Sequence, residues 1–121
     1  MKNKRELMTK SYKEITGDIS VYLSKMHKEI PDVMNSLGAL SKSVSKNGVL
    51  DKKTKELIAM SLGVAARCDG CIGFHTKTLC ELGTTREELL EALSMAIYMG
   101  GGPSTAYAAY ALKAFEEFSN L

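Results

Sequence analysis

Ten consecutive residues, Leu57 to Ala66, read LIAMSLGVAA and carry no charge. A helix that is apolar on every side is a central one. The run therefore predicts a core helix, with Asp51 as its N-cap. Whatever else the chain does, it does it around that rod.

The rest of the chain reads as helix as well. Only Pro31 and Pro103 interrupt it, sustained alternation is absent and β-branched runs are few. In the first segment Leu7, Ile15, Ile19, Tyr22 and Met26 recur at helical spacing, with Lys and Glu between them. His27, among Lys25, Lys28 and Glu29, reads as a solvated helix-end residue. Pro31 suits the first turn of a second helix and Gly48 its end, with Val33, Leu37, Leu40 and Val44 as its apolar stripe. A fourth helix is expected from about Asp69 to Leu82, stopped by Gly83. Thr84 and Glu87 have capping-box spacing and start a fifth. Its apolar face is Leu89, Leu90, Leu93, Ala96 and Ile97, and its polar face is Glu87, Glu88, Glu91 and Ser94. Gly100-Gly101-Gly102-Pro103 breaks the chain again, and Pro103 opens a sixth helix. There Ala106, Ala109 and Ala114 lack bulk, so another backbone can come close, from this chain or from another subunit. The expectation is an all-α fold of about six helices, one domain over residues 1–121 without repeat or linker.

Composition narrows the function. The chain has 121 residues, 45% of them hydrophobic, enough for a core yet small enough to leave surface for subunit contacts. Its formal charge of +2, from 16 basic and 14 acidic residues, gives no electrostatic case for nucleic acid or an anionic membrane. No apolar run approaches the roughly 20 residues of a membrane span. The basic start MKNKRELMTK has no apolar core behind it. The expectation is a cytoplasmic protein with neither nucleic-acid nor membrane partners. Three cysteines cannot all pair within one chain. In a reducing compartment, two close ones point to catalysis, redox exchange or metal binding before they point to a structural staple.

Those two are in Cys68-Asp69-Gly70-Cys71-Ile72-Gly73-Phe74-His75. Read as a metal clamp, two Cys and one His supply three zinc ligands, with Glu or water as a fourth. No second knuckle exists, and Cys80 lies about two and a half turns beyond Cys71. Read as packing, small buried thiols suit Cys80, beside Leu79, better than Cys68 and Cys71, which flank a polar Asp-Gly pair. Read as a redox couple, a Cys-x-x-Cys at a helix start closes a disulfide with little motion, and the terminal amides favour a thiolate. Cys71 and His75 are four apart, on one face of a helix, so the imidazole can take the thiol proton. If the third and fourth helices turn back near Ala66, Glu56 lies beside His75 and can orient it. Otherwise Glu56 is a surface residue paired with Lys52. Asp69 reads as a capping or exposed turn residue.

Glu56, eleven residues, Cys68-x-x-Cys71, three residues and His75 together resemble the active-site signature of the AhpD-like alkylhydroperoxidases, in the carboxymuconolactone decarboxylase superfamily. YMGGGPSTAYA, Tyr98 to Ala108, is similar to that superfamily's glycine-proline turn and last helix. The likeness covers about residues 30–118. It implies an all-helical chain assembled into trimers or hexamers, and cofactor-free, metal-free thiol chemistry on a small hydroperoxide or disulfide. It also implies a dithiol or redox-protein reductant. Carried over by position, Cys71 is the attacking thiolate, Cys68 its resolving partner, and Glu56 and His75 the proton relay. The sequence departs from some peroxidase members at Gly70, where they carry a histidine. Two other functions compete: the lactone decarboxylation that named the superfamily, and a non-enzymatic module that senses redox state or binds metal.

Overall fold

The computed structural model describes residues 10–119, and five α-helices make up its regular structure, with no strand among the described residues. They are α1 (Tyr12–Glu29), α2 (Pro31–Val44), α3 (Lys52–Ala65), α4 (Asp69–Glu81) and α5 (Arg86–Ser119). Leu7, expected in the first apolar stripe, lies outside the described residues.

Local chemistry sets most of the boundaries. Ser11 caps α1 by accepting the Glu14 amide. Pro31 occupies the first turn of α2, where its missing N–H costs nothing. The second helix ends at Val44 with Ser45 as its cap, so Gly48 lies past the end and does not form it. Asp51 caps α3 as expected, its carboxylate accepting the Thr54 amide at 2.7 Å. Gly83, at φ 73°, closes α4: its own amide reaches the Cys80 carbonyl and the Thr84 amide reaches Leu79. That bond explains why the capping box sits one residue later than the spacing of Thr84 and Glu87 suggests. Thr84 is committed to ending α4, so Thr85 and Glu88 make the reciprocal bonds, at 2.9 and 3.1 Å.

The helix count differs from six. The last two expected helices run together as α5, continuous except at Gly101, whose φ of 68° and ψ of −143° are non-helical. The break falls in the glycine run as expected, but as a kink. One residue absorbs the change of direction, and Pro103, two residues past it, lies in the first turn of the second segment as expected.

The core comprises Met60 and Val64 of α3, Ile72 and Leu79 of α4, Tyr12 of α1, and an α5 stripe from Leu89 to Phe115. At the C-terminal end of that stripe the small residues are Ala108, Ala111 and Ala114; Ala106 and Ala109 are exposed. Helix α3 packs against α4 and α5, while α4 and α5 each touch three helices, so α3 is a core helix but not the most enclosed one. It is not covered all round, however: Ile58 and Leu62 are exposed and line an apolar groove shared with Ala92 and Met95 of α5. Helix α2 touches α1 alone and buries nothing. No helix among the described residues is long and apolar enough to cross a membrane.

Candidate functional site

The turn between α3 and α4 builds the site. Arg67 takes a left-handed conformation at φ 57°, which costs an L-residue roughly 1–2 kcal/mol. The bend lets the Arg67 and Cys68 amides reach back to the carbonyls of Val64 and Gly63, closing α3. The chain reverses, and Cys68 becomes the N-cap of α4, its sulfur accepting the Cys71 amide at 3.1 Å. Cys68 and Cys71 are joined as a disulfide, with Cα atoms 5.2 Å apart. Both are half-buried.

The reversal makes α3 and α4 antiparallel neighbours. Glu56, on the α3 side of the turn, therefore meets His75: its Oε2 lies 2.7 Å from the ring Nδ1. The carboxylate is 12% exposed and the imidazole 34%, so the acid is sheltered while the ring keeps contact with solvent. With Nδ1 engaged, Nε2 is the ring nitrogen left to exchange a proton. Glu56 thus does not pair with Lys52.

Gly63, two turns beyond Glu56 on α3, is a site residue that the motif spacing does not name. A Cβ there would come within 2.8 Å of the Cys71 Cβ. A glycine at this point lets the two helices close on each other at Cys71. The signal is present, since Gly63 and Glu56 are seven apart and share a face, but inside LIAMSLGVAA a glycine reads as one more small core residue.

The opposite side of α4 is held by α1. The Tyr12 hydroxyl donates to Asp69 Oδ1 at 2.9 Å. Burial first, and that hydrogen bond second, push the Tyr12 hydroxyl above the usual phenol range, so it stays protonated and a donor. Gly70 faces Ile19, whose Cδ1 would lie 2.9 Å from an added Cβ, and Gly73 faces Thr16 at 2.5 Å. A larger residue at position 70, as some peroxidases have, requires Ile19 to move. Asp69 is thus the first residue of α4 and not its cap; it is exposed, as the other reading had it, yet tied to another helix.

Cys80 stands apart. It is the free thiol of the described cysteines, packed against the core with its sulfur 3.6 Å from the Phe115 carbonyl. Burial, followed by the charge of Glu81, pushes that thiol up, which disfavours a nucleophile. Among the described residues no three His, Cys, Asp or Glu side chains converge in a way that would hold a metal ion. His27 is exposed in the last turn of α1.

With this geometry established, the relatives become informative. Residues 31–114 match the model of the carboxymuconolactone decarboxylase family. A family member from Legionella pneumophila superposes with a TM-score of 0.88 at 60% identity, over 89% of this chain and 96% of that one. A second, from Thermotoga maritima, gives 0.78 at 28% identity over 87% and 90%. An uncharacterized protein of Cupriavidus necator is 36% identical over 84% of this chain and 96% of its own length. The alkyl hydroperoxide reductase AhpD of Mycobacteroides abscessus is 37% identical over 51% of this chain, but the match spans only 35% of that protein. The helical architecture, the family model and the Legionella structure agree: this chain belongs to the carboxymuconolactone decarboxylase family.

Proposed function

We propose that the chain is a thiol-dependent enzyme that reduces hydroperoxides or disulfides through Cys68 and Cys71. One observation carries the reading: a sheltered Glu56 holds His75 Nδ1 at 2.7 Å, one helical turn from a cysteine that is already bonded to its neighbour. A purely structural disulfide has no use for an oriented imidazole beside it.

The cycle starts from the dithiol. Glu56 fixes the tautomer with the proton on Nδ1, and Nε2 takes the Cys71 proton. The thiolate attacks the terminal oxygen of the hydroperoxide. The O–O bond breaks, Cys71 becomes a sulfenic acid, and the leaving alkoxide takes the proton from His75 as it departs as alcohol. Sulfur has lost two electrons and the peroxide has gained two. Cys68 then attacks the Cys71 sulfur, the S–O bond breaks, water leaves and the disulfide forms. An external dithiol attacks Cys71, forming a mixed disulfide and expelling Cys68 as thiolate, which the Cys71 amide is placed to stabilise; the donor's second thiol then closes the donor disulfide and releases Cys71. Hydroperoxide and dithiol become alcohol, water and disulfide, with no cofactor in the balance.

Gly70 favours giving disulfide exchange equal standing with peroxide reduction, because the extra histidine of some peroxidases is missing. Lactone decarboxylation has no need of paired thiols and is disfavoured for that reason. The apolar stripe of α2 lies open to solvent, which supports a homo-oligomer, a trimer or hexamer, in which a second copy covers it. A cytoplasmic location suits a couple that must be rereduced.

The test is consumption of cumene hydroperoxide with dithiothreitol by the wild type, Cys71→Ser and Cys68→Ser. Loss of turnover in both variants is expected, and equal activity in all three would refute the proposal. Conversion of a carboxylated muconolactone that survives in both cysteine variants would favour the lyase instead.

A further inference from the structure

The first turn of α4 is gripped from two sides, and only one grip belongs to the proton relay. On the α3 side stand Glu56 with His75 and Gly63 with Cys71. On the α1 side stand Tyr12 with Asp69, Ile19 with Gly70 and Thr16 with Gly73. Asp69 and Cys71 are two residues apart, which puts them on opposite sides of a helix. The two side chains leave the helix in opposite directions, and the bond to α1 fixes the carboxylate on that far side. Tyr12 is itself firmly placed: it is 2% exposed and its amide donates to Glu117 of α5 at 2.6 Å. Tyr12 also lies outside residues 31–114, the stretch matched by the family model.

A cavity of about 150 Å³ lies against this bond, lined by Lys10, Tyr12, Ile15, Asp69, Tyr107 and Tyr110. Asp69 is itself exposed, so its carboxylate can swing round the first turn of α4 if released. Lys10, the cation lining the cavity, is engaged with Asp18 at 3.0 Å.

Building on the thiol reading above, we propose that Tyr12 is a positioning residue that tunes the Cys68–Cys71 couple by tethering the Asp69 carboxylate on the side of α4 away from Cys71. The redox reaction concerned takes two electrons and two protons from a dithiol and returns two cysteine thiols. A carboxylate free to approach the sulfurs disfavours thiolate and so destabilises the reduced form, making the couple more reducing. The tether prevents this.

The experiment equilibrates the purified chain with oxidised and reduced dithiothreitol and reads the fraction of disulfide. It needs no hydroperoxide, so it stands or falls separately from peroxidase activity. Tyr12→Phe, which keeps the ring, should shift the equilibrium about threefold to tenfold toward the disulfide, tenfold being about 30 mV for a two-electron couple. In an Asp69→Asn background the same change should shift nothing further. An unchanged equilibrium in Tyr12→Phe overturns the proposal. A shift of the same size in the Asp69→Asn background also overturns it, because the ring would then be acting through packing alone. Asp69→Asn by itself, which keeps an acceptor for Tyr12, provides the check should Tyr12→Phe fold poorly. It should be no more reducing than the wild type, and a more reducing couple sinks the idea.

Discussion

Helices α4 and α2 have nearly the same length and opposite fates. In α4, Ile72, Gly73, Thr76 and Leu79 are buried, and α1, α3 and α5 all press on it. In α2, Val33, Leu37, Leu40 and Val44 form as regular an apolar stripe, yet Leu37 is 57% exposed and Leu40 59%. The second half of α1 shares this condition, with Val21, Tyr22 and Met26 in solvent. A hydrophobic pattern states that a face will be covered but not by what. The helix packed against three others holds Cys71 and His75, for which a redox role is proposed, and the one packed against a single helix keeps its apolar stripe in solvent.

The sharpest way to break this contrast is at the gripped end. Glu56→Gln keeps the size of the side chain and its bond to His75 but removes the charge that stabilises an imidazolium. Loss of general-base function is typically worth 10²–10⁴-fold, so peroxide or disulfide turnover should fall by about 10² or more. His75→Phe should fall at least as far. If both variants turn over at wild-type rates in a steady-state assay, the pair is structural and the site has no proton relay.

Gly63→Ala tests the close approach. The added methyl must displace Cys71, and overpacking of this kind costs typically about 1–3 kcal/mol. Chemical denaturation should show the loss, and turnover should drop with it because the sulfur moves relative to His75. Gly38→Ala on α2 is the control. Nothing lies within 4 Å of a Cβ there, and alanine suits a helix interior better by about 1 kcal/mol, so stability should rise or stay level. Equal losses at both glycines would erase the distinction between the two helices.

These residues also show what can be read without a structure. Asp51, Pro31 and Gly83 announce their helix boundaries because capping is local chemistry, legible from a few neighbours. The meeting of Glu56 and His75 is legible only as one consequence of an assumed hairpin, and the structure supplies the left-handed Arg67 that makes the turn. Tyr12 and Asp69 are 57 residues apart and join two helices that no periodicity relates, so nothing in the sequence could pair them. Thr84 misleads for the reverse reason. Its spacing to Glu87 satisfies a local rule, while the previous helix has already claimed its amide.

Leu37→Asp with Leu40→Asp examines the open end. On an isolated chain, replacing exposed leucines should change stability by less than about 0.5 kcal/mol each. If a second copy covers α2, the same charges would be buried, and the assembly should come apart in light scattering. We expect dissociation to a smaller species with helical content retained. A wild type that is already monomeric at micromolar concentration would mean that the stripe is simply exposed.

The smallest effect concerns an ion pair on the gripped side. Lys53 of α3 and Glu88 of α5 meet at 2.7 Å, but each side chain is 35% exposed, and pairs so open to solvent contribute little. The Lys53 ammonium, then the Thr85 amide, hold the Glu88 carboxyl below its ordinary 4.5, while Glu88 raises the Lys53 ammonium above its ordinary 10.5. A depressed carboxyl contributes stability above its unfolded value that is lost as pH falls through the folded one. A raised ammonium contributes below its unfolded value and loses that contribution as pH rises through the folded one. Between these limits the pair gives a flat profile. Thermal melts of Lys53→Ala should therefore run nearly parallel to wild type from about pH 5 to 10, converging with it only at the acid and alkaline ends. A large, pH-independent drop would show that Lys53 acts through its aliphatic stem, and that what joins α3 to α5 is packing there too.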